Sequence, residues 1–181
     1  MSVTKPAVVL VNLGTPDAPT TAAVRRYLKQ FLSDPRVVEA PRLIWFWVLR
    51  LIILPLRPRR VAKLYASIWQ QDSPIRLVAQ QQAEALAGRF DCTVRYAMSY
   101  GSPGFEAVLD ELADQGHDHL LILPLYPQYS GSTNGAVADA LARWVRPRRE
   151  VPGLTLVKDY WQNPAWLDAV ADSIRRFREQ H

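Results

Sequence analysis

The chain has 181 residues, is 49% hydrophobic, and carries 22 Lys and Arg against 17 Asp and Glu for a formal charge of +5. This apolar content excludes a disordered polypeptide, and the length suits the core of one domain. A single cysteine excludes an internal disulfide framework and suits a reducing compartment, while the positive balance favours anionic partners without naming them.

Ala7 to Asn12 reads as a buried strand. Thr20 or Thr21 then caps a helix whose apolar positions Val24, Tyr27, Leu28, Phe31 and Leu32 recur at helical spacing. Leu43 to Leu56 breaks the rhythm: it is apolar all round, carries Arg50 in its middle, and is flanked by Arg36, Arg42, Arg57, Arg59 and Arg60. It is too short to span a bilayer, which takes about 20 apolar residues. It has two readings, a core helix or an exposed apolar lip over a ligand or against a lipid surface, with arginines beside it to hold carboxylates.

Ser73-Pro74 is a helix start, with the serine hydroxyl at the cap, and Ile75 to Phe90 follows. Cys92 is expected as a buried thiol at the head of a strand from Thr93 to Tyr100. Phe105 to Leu112 is helical by spacing and Gly116 ends it. His119 to Pro124 is a third strand expected to be buried on both sides, and Thr133 to Val145 a helix. Pro147 and Pro152-Gly153 precede a fourth strand from Leu154 to Val157. Pro164 opens a last helix expected to turn Leu167, Val170, Ile174 and Phe177 inward. The alternation predicts an α/β fold: a doubly wound, Rossmann-like parallel four-stranded sheet flanked by helices. It forms a single domain over residues 1–181, with the apolar insertion at 36–60.

Three turns stand where strands hand over to helices: Asn12-Leu13-Gly14-Thr15-Pro16, Ser99-Tyr100-Gly101-Ser102-Pro103, and the run from Tyr126 to Gly135. Parallel sheets bind ligands outside the carboxyl ends of their strands, where such turns converge. Gly14 and Gly101 permit unusual dihedrals, either for a purely structural turn or for close approach of a ligand. Ser130, Ser132, Thr133 and Asn134 precede a helix whose free amides suit an anion. A flavodoxin-like phosphate loop is disfavoured, because that loop follows the first strand and this one follows the third.

The sequence lacks a G-x-x-x-x-G-K-[ST] loop, an H-E-x-x-H pair and a nucleophile elbow. His117 and His119 fall at the amino edge of the sheet, opposite the crevice, and are expected to face solvent; nothing near them completes a metal site. The chain thus presents a binding surface without an evident general base. No catalytic residue and no resident metal or cofactor is assigned to it.

Three segments carry a family resemblance: Val9-Leu10-Val11-Asn12-Leu13-Gly14-Thr15-Pro16-Asp17-Ala18-Pro19, Tyr27-Leu28-Lys29-Gln30-Phe31-Leu32-Ser33-Asp34 and Leu123-Pro124-Leu125-Tyr126-Pro127-Gln128-Tyr129-Ser130. Together with Arg57 to Tyr65 and the Ser73-Pro74 pair, they resemble the amino-terminal half of the bacterial ferrochelatases. The resemblance implies a lyase of heme biosynthesis that forms metal–nitrogen bonds, inserting ferrous iron into protoporphyrin IX to give protoheme. By motif position it implies that Leu13, Tyr65, Tyr100 and Tyr126 line the macrocycle. Ser130, Ser132, Thr133, Arg57 and Arg60 would serve its propionates or rim. Leu43, Ile44, Trp45, Trp47 and Leu49 would form the apolar lip, able to touch a membrane.

Two positions depart from the family pattern: Gly131 stands where many relatives have cysteine, and Ser99 where some have arginine. Relatives are nearly twice as long, and their Ser-x-His-Gly histidine and the acidic residue that take part in metal entry and pyrrole deprotonation belong to their second half. The chain is therefore expected to supply the porphyrin-binding half and to be inactive alone, with the carboxyl-terminal half and protoporphyrin IX as partners and no nucleic acid. His181 is not that histidine. No signal peptide is seen, and a cytoplasmic location, peripheral at the inner face of the membrane, is expected. A non-catalytic tetrapyrrole-binding or membrane-docking module is the alternative.

Overall fold

Four runs rich in aliphatic residues build one parallel sheet from β1 (Pro6–Thr15), β2 (Thr93–Gly101), β3 (His119–Pro124) and β4 (Gly153–Leu156). The structure is a computed structural model and describes residues 5–180. The strand order is β2-β1-β3-β4, with Val11 registered against Ala97 on one side and Pro124 on the other. The chain winds outward from β1 to β2 and then returns past β1 to β3. The order therefore reverses at β1, and the crevice beyond the carboxyl ends of β1 and β3 is the switch point.

The helices are α1 (Thr21–Ser33), α2 (Arg42–Val48), α3 (Leu54–Ile68), α4 (Pro74–Ala87), α5 (Phe105–Asp114), α6 (Ala136–Val145) and α7 (Pro164–Gln180). A π-helical turn, Leu49–Ile53, joins α2 to α3, and another, Gly131–Gly135, leads into α6. One sheet face carries the main core: Val9, Val11, Ala97, Leu120 and Ile122 meet Phe105, Leu109, Leu112, Val137 and Trp144 of α5 and α6. The alternate residues Leu10 and Val94 meet Ala83 of α4 on the opposite face. Helices on both faces make this the expected doubly wound sheet. Thr20 caps α1, its hydroxyl accepting from the Ala23 N–H at 3.3 Å.

Several expectations are corrected. β1 continues to Thr15, past the Gly14 turn, because glycine at φ +113° lets the strand lie against Tyr100 of β2. β3 is buried on one face only; α4 packs on β1 and β2, which leaves Leu121 and Leu123 half-covered. The Ser73 hydroxyl does not cap α4 but accepts a hydrogen bond from the Thr15 hydroxyl at 2.7 Å, joining the first turn to the helix start. The segment after the third turn begins as a π turn, with α6 starting only at Ala136. Cys92 is half-buried beside the smaller core cluster. No residue of α7 is buried, and Leu167, Val170, Ile174 and Phe177 are exposed, not inward. Apolar spacing identifies a face but says nothing of what covers it. His181 lies outside the described residues.

Candidate functional site

The carboxyl edge of the sheet is locked by its two glycine turns. A Cβ on Gly14 would lie 1.7 Å from the Tyr100 carbonyl oxygen, and one on Gly101, at φ +91°, 2.3 Å from the Thr15 carbonyl oxygen. Both glycines serve strand-to-strand approach. Arg76 ties the same turns together: Nε donates to the Ser102 carbonyl at 3.1 Å and Nη2 to the Pro16 carbonyl at 3.1 Å. Its Nη1 bonds Asp72 at 2.5 Å.

Helix α1 runs along this edge and supplies aromatic rings. The Tyr27 ring stacks on Phe31 at 5.9 Å and meets Tyr65 edge-on at 6.4 Å; Phe31 meets Tyr100 at 5.2 Å, and Tyr65 meets Trp69 at 6.4 Å. The Tyr27 hydroxyl donates to the Gly14 carbonyl at 3.4 Å, beside half-buried Leu13. The Tyr100 hydroxyl donates to Asp34 Oδ2 at 2.8 Å, and the Gly101 N–H donates to Gln30 Oε1 at 2.9 Å. Tyr126, just past β3, has a hydroxyl that is buried with no hydrogen-bond partner among the described residues.

These phenols share an electrostatic neighbourhood. Burial, then the nearby Tyr65 hydroxyl and Tyr126, raise Tyr27 well above the ordinary tyrosine range. Burial and then the Asp34 carboxylate raise Tyr100 further. Burial raises Tyr126 too, outweighing the nearby Ser99 hydroxyl, which opposes it without making a hydrogen bond of proper geometry. All three therefore remain neutral phenols at neutral pH: they can donate hydrogen bonds, but they do not act as bases.

The third turn is organised around buried Asn134. Its Oδ1 accepts from the Ser130 N–H at 3.3 Å and the Thr133 hydroxyl at 2.9 Å, and its Nδ2 donates to the Lys158 carbonyl at 2.9 Å. The loop thus consumes part of the donor set expected to face an anion. The Ser130 and Ser132 hydroxyls pair at 3.1 Å on its open side. A Cβ on Gly131 would meet nothing within 4 Å.

Tyr65 and Tyr100 are thus joined through Tyr27 and Phe31 in one chain of ring contacts, in which Tyr100 is buried. Tyr126 is near Tyr27 and Tyr100 without a ring contact among the described residues, Leu13 stands near the carboxyl end of β1, and Ser130, Ser132 and Thr133 stand on the turn after β3. Arg57 and Arg60 are exposed on α3 without an ion pair or hydrogen bond among the described residues. Of the apolar insertion, Leu43, Ile44 and Trp47 are exposed, whereas Trp45 is half-buried and its Nε1 donates to the Leu32 carbonyl at 2.7 Å. Leu49 is 4% exposed and anchors the segment instead of forming its outer surface. Leu51, Ile52 and Leu56 are exposed in its place. Tyr27 and Phe31, which the sequence marks only as apolar helix positions, and Asp34 all take part in this edge, and the Tyr27 to Asp34 motif carries all three.

At the amino edge, His117 and His119 are partly solvent-exposed, and each ring also makes one hydrogen bond. His117 Nδ1 pairs with the Lys5 carbonyl at 2.9 Å and His119 Nε2 with the Thr155 hydroxyl at 3.0 Å.

A family model described as Ferrochelatase matches residues 5–181. A protein named Ferrochelatase from Psychrobacter sp. (strain PRwf-1) is 54% identical over 97% of this chain and 54% of its own length. Ferrochelatases of Acinetobacter baumannii (strain ACICU) and Escherichia coli O139:H28 are 48% and 52% identical over 98% and 100% of this chain, and 54% and 57% of their own lengths. The chain spans about half the length of the curated relatives it matches. With a match that runs over the glycine turns, the α1 motif and the Tyr126 loop alike, the chain belongs to the ferrochelatase family.

Proposed function

We propose that this chain forms the porphyrin-binding wall of a ferrochelatase, whose reaction inserts ferrous iron into protoporphyrin IX to give protoheme. The observation that carries this is the chain of aromatic contacts from Tyr65 through Tyr27 and Phe31 to Tyr100 at the carboxyl edge of the sheet, which supports a wall made of Leu13, Tyr65, Tyr100 and Tyr126. A flat apolar macrocycle with carboxylate tails calls for aliphatic and aromatic walls and donors at one rim. The tyrosine wall meets the first need, and the unpaired Tyr126 hydroxyl is a donor without an internal partner. Ser130, Ser132 and Thr133, with the free guanidinium groups of Arg57 and Arg60, serve the propionates.

Insertion needs a bent macrocycle and a base for its pyrrole protons. This chain provides the wall against which the ring is bent. Its neutral phenols do not take the protons, and the family resemblance implies that the base and the path of the iron substrate belong to the part of the relatives that this chain does not match. It holds no resident cofactor of its own, and alone it inserts no metal. Exposed Leu43, Ile44 and Trp47 form the apolar lip at the cleft mouth and rest on the inner face of the membrane, from which a poorly soluble porphyrin is taken. Among the described residues no helix is long and apolar enough to cross it.

The test is absorbance and fluorescence titration of the purified chain with protoporphyrin IX. It is paired with an iron-insertion assay on the chain alone and mixed with the unmatched part of a full-length relative. Saturable spectral change with turnover only in the mixture is expected. Robust turnover by the chain alone refutes the division of roles, and unchanged porphyrin spectra refute the wall. Binding to anionic liposomes with unchanged porphyrin spectra would favour a membrane-docking module, the reading that the exposed insertion supports.

A further inference from the structure

The outer side of the insertion carries a charge arrangement that the porphyrin wall does not use. Two adjoining clefts of about 300 and 260 Å³ lie between α1 and the α2–α3 bend, and Lys29 and Arg50 line both. Arg25 closes one end and Arg42 the other. No lining residue of either cleft is acidic, and residues 40–71 contain no Asp or Glu at all.

These cations are positioned but not neutralised. Arg25 Nε donates to the Leu54 carbonyl at 3.1 Å and Arg42 Nη1 to the Ser33 carbonyl at 3.2 Å. The Arg50 guanidinium lies 4.1 Å over the Phe46 ring. None of the four joins any of the eight ion pairs among the described residues, all of which use other cations. Arg25, Lys29 and Ser33 recur every fourth residue, so one exposed stripe of α1 faces the clefts. The π turn Leu49–Ile53 sets Arg50 against them while Leu49 stays buried. Trp45, Phe46 and Leu54 supply apolar walls.

Clustered positive charge with apolar walls, continuous with exposed Leu43, Ile44, Trp47, Leu51 and Ile52, matches a ligand that is anionic at one end and hydrocarbon beyond. We infer that this double cleft is a headgroup site for an anionic glycerophospholipid, its phosphate held between Lys29 and Arg50. The site selects which membrane surface the insertion meets. This rests on the membrane-contact reading of the insertion and adds to it a lipid class and a discrete site.

The test is co-sedimentation of the chain with vesicles of phosphatidylcholine alone or mixed with phosphatidylglycerol, read also by tryptophan emission. Binding favours the phosphatidylglycerol vesicles. Lys29→Ala with Arg50→Ala weakens it about twenty-five-fold, at about fivefold per cation. The charge-conserving Lys29→Arg keeps it, and Arg59→Ala with Lys63→Ala, outside the clefts, weakens it far less than the first pair. Equal losses for both double variants overturn the site in favour of diffuse attraction. A saturable emission change with inorganic phosphate alone, as strong as with the lipid, overturns the lipid assignment. If Leu43→Ser with Trp47→Ser abolishes binding while Lys29→Ala with Arg50→Ala does not, the headgroup site fails and the apolar contact stands. If the chain binds neither kind of vesicle, both fail.

Discussion

Replacing Gly14 by alanine tests whether the carboxyl edge of the sheet is locked by backbone contact. The new Cβ would lie 1.7 Å from the Tyr100 oxygen, 2.7 Å from its carbonyl carbon and 3.1 Å from its nitrogen, so no flexible side chain can yield. A non-glycine residue at φ +113° costs of order 1–3 kcal/mol in backbone strain. Relieving the overlap also parts the Gly14–Tyr100 and Thr15–Gly101 registers, at about 1 kcal/mol per hydrogen bond lost. Together the loss is about 3–5 kcal/mol, a large share of the 5–15 kcal/mol typical of a domain. At about 2–4 °C per kcal/mol for a chain of this size, Tm falls by roughly 6–20 °C. Thermal unfolding followed by circular dichroism reads the change, with Gly131→Ala as control, since a Cβ there meets nothing within 4 Å. A Gly14→Ala protein within 1 kcal/mol of the parent, or a Gly131→Ala protein equally damaged, refutes the locked edge.

Tyr100→Phe removes a hydrogen bond to a carboxylate, worth about 1.5–3 kcal/mol, and chemical denaturation should show a loss at the low end because Asp34 keeps some solvent. An unchanged midpoint would mean that water replaces the hydroxyl fully. Tyr126→Phe leaves Tm unchanged or higher, because its hydroxyl has no partner to lose, while protoporphyrin binding weakens several-fold in a fluorescence titration. A fall in stability of about 1 kcal/mol or more would contradict that. Asp72 gives a pH effect of defined sign: burial works to raise its pKa, but the bonds from Arg76 and the Ser73 N–H outweigh it and hold the carboxyl below its ordinary value. Its stabilisation is full above the unfolded value near 3.9 and is lost as pH falls through the depressed folded value, so acid titration of Asp72→Asn should show a shallower limb there.

The strands and most helices are legible because their signals are local. The apolar run from Ala7, the Thr20 cap and the Phe105 to Leu112 spacing each specify an element from neighbouring residues alone. What failed depended on distant partners. Gly14 reads as a strand end until β2 is alongside, when the same glycine becomes the condition for the strand to continue. The Ser73 hydroxyl has the chemistry of a cap, yet Thr15, 58 residues away, donates to it. From residue 40 to residue 60 every residue is apolar or basic, so periodicity gives no way to separate buried Leu49 from exposed Leu51; the π turn makes that division. Tyr27 and Phe31 look like ordinary helix-core positions until Tyr65 and Tyr100 come to meet them.

The placement of Asp34 links the two halves of the functional proposal. It accepts from the Tyr100 hydroxyl in the wall, and its other oxygen accepts from the Arg36 N–H at 2.8 Å, at the first residues of the insertion. Arg36 in turn grips Asp139 of α6 with Nε at 2.7 Å and Nη2 at 2.9 Å, and lies 3.4 Å from where a Cβ on Gly135 would stand. One short path of polar contacts thus runs from the aromatic wall through the root of the insertion to the helix behind the Ser130 turn. Because the Arg36–Asp139 pair is largely solvent-exposed, its ion-pair energy is small, and its value lies in fixing direction. The wall, the exposed apolar segment and the serine turn are therefore held in one register at their bases, while the cationic clefts occupy the outer side of the same segment. Under the proposed porphyrin and membrane roles, a macrocycle arriving at the exposed apolar segment would meet the tyrosines behind it.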